Sequence, residues 1–414
     1  MGFEDQPEIL HGDEERARDI ARDFELFDRS LSPDELRYTH IIERLKTETS
    51  HDSNLLEVQI ERVKDIFSEE LGEFGESLPS DVWEMLTVIE LFDPETARHC
   101  VDTYHIAKNK VEKRLFDGMV LAESFRDESV DLNTFYTSCL LHDIGKVEVP
   151  HEVVTNTTTD TECAIHLFEH KDDVLLPALR DYLDDPSFTL PEAIDSPQAL
   201  NRYLNEAFHE RPQKFTPIHL LLGRLSPEKL EEVSEQLAHV GCSLDDSLLT
   251  IMHTHDRYSR TILKTFGHTV EAILAGAHHN KKSREGEAER PYRITIGTLQ
   301  VSVDLADIIH LADVENAISN SRHYKSGKTP LEALKVLAVH AKNGVIDNYI
   351  AYLWIADALN DTATASLYSL ENEDNRKNYE FIASYLDTQK KQHLGYPEWR
   401  LEQMKNGSEE TVAE

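Results

Sequence analysis

At 414 residues the chain is too long for one ordinary core, and 16 Gly and 15 Pro beside 40% hydrophobic residues exclude a disordered polymer. Its 42 Lys and Arg against 78 Asp and Glu give a formal charge of −36, a field that repels duplex nucleic acid and anionic lipid. A phosphate substrate is not excluded, because divalent metals are the largest local charges in a site and invert its potential.

The four cysteines, Cys100, Cys139, Cys163 and Cys242, show no CxxC spacing. They read as buried thiols in a reducing compartment, not as a disulfide framework or a zinc site. The opening MGFEDQPE lacks the basic and apolar regions of a signal peptide, and Gln6 stands where a myristoylation signal wants Ser or Thr. No stretch approaches the roughly 18 apolar residues of a membrane helix. The expectation is a soluble, cytoplasmic protein.

The pattern predicts helices nearly throughout. Residues 1 to 85 form an acidic helical N-terminal region, in which Ser32-Pro33-Asp34-Glu35 supplies an N-cap, a Pro at N1 and an acidic N3. A core segment follows over 86–154. Within it Asp93-Pro94 starts a helix that puts Glu95 and His99 at i and i+4 on one face, a spacing at which two side chains can share an ion. LLHDIGKVEVP at 140–150 then delivers His142 and Asp143 side by side, with Gly145 and Lys146 behind them. An adjacent imidazole and carboxylate can bind one ion together, and the second carboxylate oxygen can bridge to another. Lys146, one turn further on, is placed to meet a substrate phosphate.

Residues 155–243 read as a helical insertion, opened by TNTTTDT and closed near Gly241, with helix starts at Ser196-Pro197 and Ser226-Pro227. His166 and His170 in it fall at i and i+4 and are assigned to an ordinary amphipathic helix. The core resumes over 244–355. There His253 and His255 point in different directions, so at most one faces a site, and His278-His279 closes the apolar run AILAGA. RITIGTLQVSV at 293–303 offers the best alternation for a short strand. Asp307 and Asp313 lie in the apolar helix that follows, where a buried carboxylate is expensive unless paired or metal-bound, so one of them is a candidate ligand. A helical C-terminal extension begins after 355 and ends in the polar tail KNGSEETVAE.

The order of these groups, H…HD…H…HH…D, resembles the HD superfamily and specifically its HD-GYP branch of cyclic dinucleotide phosphodiesterases. The resemblance covers 86–154 and 244–355, about half of the chain. The first histidine of that family, with Glu four residues before it, is matched by His99 and Glu95, and its HDxGK by His142, Asp143, Gly145 and Lys146. Its L-x-x-E…M-x-x-H-P-x-x-G…L helix is matched at Leu244, Met252, His255, Ser259 and Leu263, which selects His255 over His253. Its paired histidines match His278 and His279. Its A-D-x-x-D-A matches Ala312, Asp313 and Ala317, with Asn316 in place of the second Asp, and leaves Asp307 structural. Its R-x-Y-[RK] matches Arg322, Tyr324 and Lys325. Two departures stand out: the family's Gly-Tyr-Pro turn after the paired histidines is absent from HHNKKSREGEAERPY, and the insertion replaces a short loop. The GYP at 395–397 lies outside the core and is a coincidence.

The resemblance implies an all-α HD-domain helical bundle, carrying the N-terminal region, the insertion and the C-terminal extension. It implies two or three metal ions, Fe or Mn, on Glu95, His99, His142, Asp143, His255, His278, His279 and Asp313, with Asp143 bridging. Lys146 would act at the reacting phosphate, and Arg322 and Lys325 would hold the substrate phosphates. The implied reaction is attack of a metal-bridging hydroxide on cyclic di-GMP or a related cyclic dinucleotide. Three alternatives stand beside it. One is a nucleotide phosphohydrolase of the wider superfamily; the second is a catalytically silent nucleotide sensor; the third is an HD-fold di-iron oxygenase, which gains nothing from Arg322 and Lys325. Neither duplex nucleic acid nor a membrane is an expected partner, and the N-terminal region is left for homodimerisation or a signalling partner.

Overall fold

The computed structural model describes residues 6–22, 36–50, 53–115, 120–125, 130–156, 158–208, 210–279, 292–296, 301–319, 329–360 and 372–394. The fold is all-α. Strands among the described residues are two short antiparallel ribbons, 49–50 with 53–54 and Arg293–Ile296 with Val301–Asp304. The second lies within the stretch whose alternation predicts a strand. No helix among the described residues is long and apolar enough to cross a membrane. Cys100, Cys139 and Cys163 are buried and all four cysteines are free thiols, as the absence of paired spacing predicts.

The chain divides into two compact units. The first comprises Met1–Ala97 and Asp143–Ile262, and the second Arg98–His142, Leu263–Arg322 and Ser326–Glu414. The core expected over 86–154 and 244–355 is therefore distributed over both, and the N-terminal region and the insertion share the first. The start expected at Ser32-Pro33, the tail after 394 and the GYP at 395–397 lie outside the described residues.

The first unit is organised around the helix Ser80–Phe92, whose residues from Met85 to Phe92 are all buried. A helix apolar on every side needs neighbours on every side. Gln6–Arg22, Arg37–Thr47 and Leu55–Ser77 supply them. The one buried acid on this helix, Glu90, is 4% exposed and is neutralised by Arg18 and Arg62. The helix Arg37–Thr47 is preceded by Leu36, whose side chain can accept nothing. Its first N–H groups donate instead to Glu148, at 2.9 Å from Arg37 N and 2.8 Å from Tyr38 N. This carboxylate comes from the HDIGKVE turn, so the N-terminal helices and that turn are tied together by a cap.

The insertion is helical, as its pattern predicts, and has its own core of Leu167, Leu175, Leu179, Leu200, Leu204 and Phe215. Ser196 and Ser226 cap the helices Pro197–Tyr203 and Pro227–His239, each accepting the N–H three residues on. His166 lies on the helix Asp160–Glu169, whose Cys163, Ala164 and Leu167 are buried, and His170 caps its end. The second half of the insertion packs Val233 and Leu237 with Val149, Val153 and Ile251.

In the second unit Leu132–Leu141 packs against Thr269–Ala275, and Leu305–Ser319 packs against Pro330–Lys342. Asn348–Asn360 and Glu373–Leu394 complete it. Asp307, 1% exposed, accepts the Asp347 N–H at 3.0 Å, and Asp347 in turn accepts that of Tyr349 at 2.8 Å. The structural role that the resemblance leaves to Asp307 is thus the capping of a neighbouring helix.

Candidate metal centre

Three of the candidate histidines share one local device. His142 follows the last residue of Leu132–Leu141 and sets its Nδ1 2.8 Å from the Cys139 carbonyl. His278 stands three residues past Ala275, the last of its helix, with Nδ1 2.5 Å from that residue's carbonyl. His255 makes the same contact to Met252, which ends the helix Leu248–Met252. The last carbonyls of a helix have no partner within it, and an imidazole three residues on can reach one. A carbonyl only accepts, so Nδ1 must donate, and each ring is fixed with Nε2 as its outward atom. This is the arrangement by which metal-ligating histidines are oriented and made more basic.

Within the second unit His99, His142 and His279 gather around Asp313, which is 7% exposed on the helix Leu305–Ser319. His99 Nε2 lies 2.8 Å from its Oδ1, His142 Nε2 3.8 Å from the same oxygen, and His279 Nε2 3.8 Å from Oδ2. Burial alone would raise the pKa of Asp313. The neighbouring His142 and His99 rings outweigh it and hold the carboxyl well below its ordinary range. The rings of His142 and His278 meet edge to face at 5.0 Å, and those of His278 and His279 lie 3.9 Å apart. The ligand atoms of His99 and His142 are within 4.8 Å of each other, as are those of His278 and His279. Asn316, which replaces an acid of the resembled motif, directs its amide nitrogen at His99 Nδ1, the His99 carbonyl and Thr103 Oγ1, at 2.9, 2.8 and 3.1 Å.

A further pair in this unit escaped the sequence reading. His310 is buried one turn before Asp313, edge-on to His279 at 5.5 Å, and its Nε2 lies 3.0 Å from Nδ1 of the half-buried His340. Burial, then His340, push its pKa down to about 3, against a hydrogen bond to the His278 backbone. The spacing of three from Asp313 places His310 on the same helix face, and that was the available signal.

The first unit holds Asp143, Lys146 and His255. The turn Ile144–Glu148 is 3₁₀ rather than α, which eclipses residues three apart and lays the Lys146 ammonium on Asp143 Oδ2. The other oxygen, Oδ1, is 3.0 Å from His255 Nε2. Gly145 donates its N–H to Ser259 Oγ at 2.9 Å, and a Cβ on it would stand 2.0 Å from the His255 carbonyl oxygen. Only glycine allows the HD turn to approach the helix Thr254–Thr265 this closely. His253 is exposed and His255 buried, in keeping with the choice of His255. Asp256, absent from the predicted ligands, is 8% exposed with Oδ1 3.0 Å from His255 Nε2. Burial works against a charged His255, but Asp256 and then Asp143 overcome it and push the ring up to about 10.

Imidazole nitrogen and carboxylate oxygen, buried, with second ring atoms already committed, form a donor set that fits divalent metal. Buried histidine and aspartate groups of this chain can hold metal ions. Glu95 is exposed on the first turn of Pro94–Glu112, the helix that Asp93 starts by accepting the Thr96 N–H at 3.1 Å. Arg322 and Lys325 lie outside the described residues, as does the segment where the family carries Gly-Tyr-Pro. No protein-family model, curated protein or solved structure matches the chain.

Proposed function

We propose that this chain is a metal-dependent phosphohydrolase of the HD type that opens a cyclic dinucleotide, cyclic di-GMP or a related molecule. The observation that carries the reading is the commitment of His142, His255 and His278, each through Nδ1 to a helix-end carbonyl, which presets three rings for ligation through Nε2. The order of the HD, HH and ADxxN motifs supports the same family.

In this reading two or three ions are held by His99, His142, Asp143, His255, His278, His279 and Asp313, with Glu95 reserved for a third ion. An all-nitrogen-and-oxygen donor set favours Fe or Mn in octahedral geometry over structural zinc. Bound divalent ions supply Lewis acidity toward phosphoryl oxygens and activate water at neutral pH. The chain's own residues do the rest. Asp143 has two oxygens with different partners, as a bridging carboxylate needs. Lys146, 8% exposed, places a cation beside that carboxylate, where it would answer charge developing on the phosphoryl oxygens. Arg322 and Lys325 grip the substrate phosphates, Arg through its bidentate fork. A formal charge of −36 disfavours long nucleic acid and leaves a small, metal-gripped anion as the substrate class. The reading places the enzyme in the cytoplasm and leaves the N-terminal helices for a homodimer or a signalling partner.

The test is turnover of a panel of cyclic dinucleotides and mononucleotides by wild type and Asp143→Ala. Linear dinucleotide product from the wild type, abolished in the variant, supports the proposal. Tight nucleotide binding without turnover favours a silent sensor, and hydrolysis of mononucleotides alone favours the wider superfamily.

A further inference from the structure

Asp256 opens the helix Thr254–Thr265 beside His255, at the position where the resembled motif carries Pro. It replaces a residue without a donor by a buried carboxylate. Its Oδ1 and the Oδ1 of Asp143 each lie 3.0 Å from the same atom, His255 Nε2. One imidazole nitrogen thus faces two carboxylate oxygens, and all three atoms are donors that one ion can take together. Lys146 lies on the other oxygen of Asp143. His255 is also oriented for an ion, with Nδ1 tied to the Met252 carbonyl.

The separations fit an ion. Neighbouring donors about 2.1 Å from an octahedral ion stand about 3 Å apart, √2 times the bond length. Both carboxylate-to-imidazole separations are 3.0 Å.

We propose that Asp256 is a metal ligand, forming with Asp143 and His255 a two-carboxylate, one-imidazole site for a hard divalent ion. The inference rests on reading Asp143 and His255 as ligands. Asp256 adds a donor that biases the site, because a second carboxylate oxygen suits Mn²⁺ better than Zn²⁺. Asp256 is thus a determinant of which metal the protein takes.

The experiment is titration of the full-length protein, after chelation and dialysis, with Mn²⁺ and separately with Zn²⁺, following bound Mn²⁺ by electron paramagnetic resonance. Wild type, Asp256→Asn and Asp256→Glu are compared. Asparagine keeps the volume and removes the charge; glutamate keeps the charge. The expected result is a 10- to 100-fold loss of Mn²⁺ affinity at one site in Asp256→Asn, with a smaller loss for Zn²⁺ and recovery in Asp256→Glu. Unchanged Mn²⁺ affinity and unchanged preference in Asp256→Asn overturn the proposal, and overturn it alone if the wild type still turns over a cyclic dinucleotide. Loss of a Mn²⁺ site in Asp256→Asn from a wild type with no turnover supports the ligand and sinks the hydrolase. Should Asp256→Asn fail to fold, Asp256→Glu decides: a Mn²⁺ affinity and preference close to wild type support the ligand, and loss of Mn²⁺ no greater than loss of Zn²⁺ overturns it.

Discussion

Asp313 accepts a hydrogen bond from His99 Nε2 at 2.8 Å, across 214 positions of sequence. The carboxylate is the common neighbour of His99, His142 and His279, so its removal leaves buried imidazoles with no counter-charge. Asp313→Ala is expected to lower metal affinity at least about 100-fold and to abolish turnover. Elemental analysis after gel filtration checks it; wild-type metal content in the variant counts against the site.

Gly145 is fixed by proximity. Because a Cβ would stand 2.0 Å from the His255 carbonyl and 2.4 Å from Ser259 N, both backbone atoms, neither neighbour can swing aside. Gly145→Ala is expected to destabilise the protein by roughly 1–3 kcal/mol, as overpacking does, and to shift Asp143. Urea unfolding gives the first figure, and metal affinity reports the second.

Glu148 caps a helix that begins 111 positions before it. Glu148→Ala removes two acceptors from buried N–H groups and is expected to cost about 1–3 kcal/mol. Glu148→Gln, which keeps one good acceptor, is expected to fall between. Equal losses in the two variants would argue against the cap.

His310 makes stability depend on pH. Its folded pKa is about 3 against an ordinary 6.5. Below 6.5 the unfolded chain takes the proton first, so stability falls as pH drops from 6.5 toward 3 and is unaffected above that window. Between pH 7.5 and 5.5 the wild type is expected to lose roughly 1–1.5 kcal/mol more than His310→Asn, at about 1.4 kcal/mol per unit of separation. Parallel unfolding curves at the two pH values test the difference, and equal losses contradict it.

The insertion core is separate from the ligands. Leu200, 0% exposed among Leu167, Leu204 and Phe215, is expected to cost about 2–5 kcal/mol when truncated to Ala. Metal content should be unchanged. Loss of bound metal in Leu200→Ala would show that the insertion takes part in the site.

What could be read in advance was local. HDIGK, the adjacent His278-His279 and the caps at Ser196 and Ser226 follow from short spacings and helical periodicity. So does the all-α class. The choice of His255 over His253 rests on the resemblance. Features set by tertiary packing were not legible. Nothing near Leu36 announces that its helix is capped by Glu148, and nothing near His310 names His340 as its partner. Asp256 was passed over because the resembled motif has no acid there, although its neighbour was chosen. The division into units also cuts across the expected core, because helices of the N-terminal region bind the HD turn through Ser80–Phe92 and Glu148.

The measurement that bears most directly on the central claim is the amount of Fe, Mn and Zn per chain, in protein purified aerobically and anaerobically. The buried histidines and aspartates predict two or three equivalents of Fe or Mn, lost together with turnover in Asp143→Ala. No stoichiometric metal in either preparation would contradict the account.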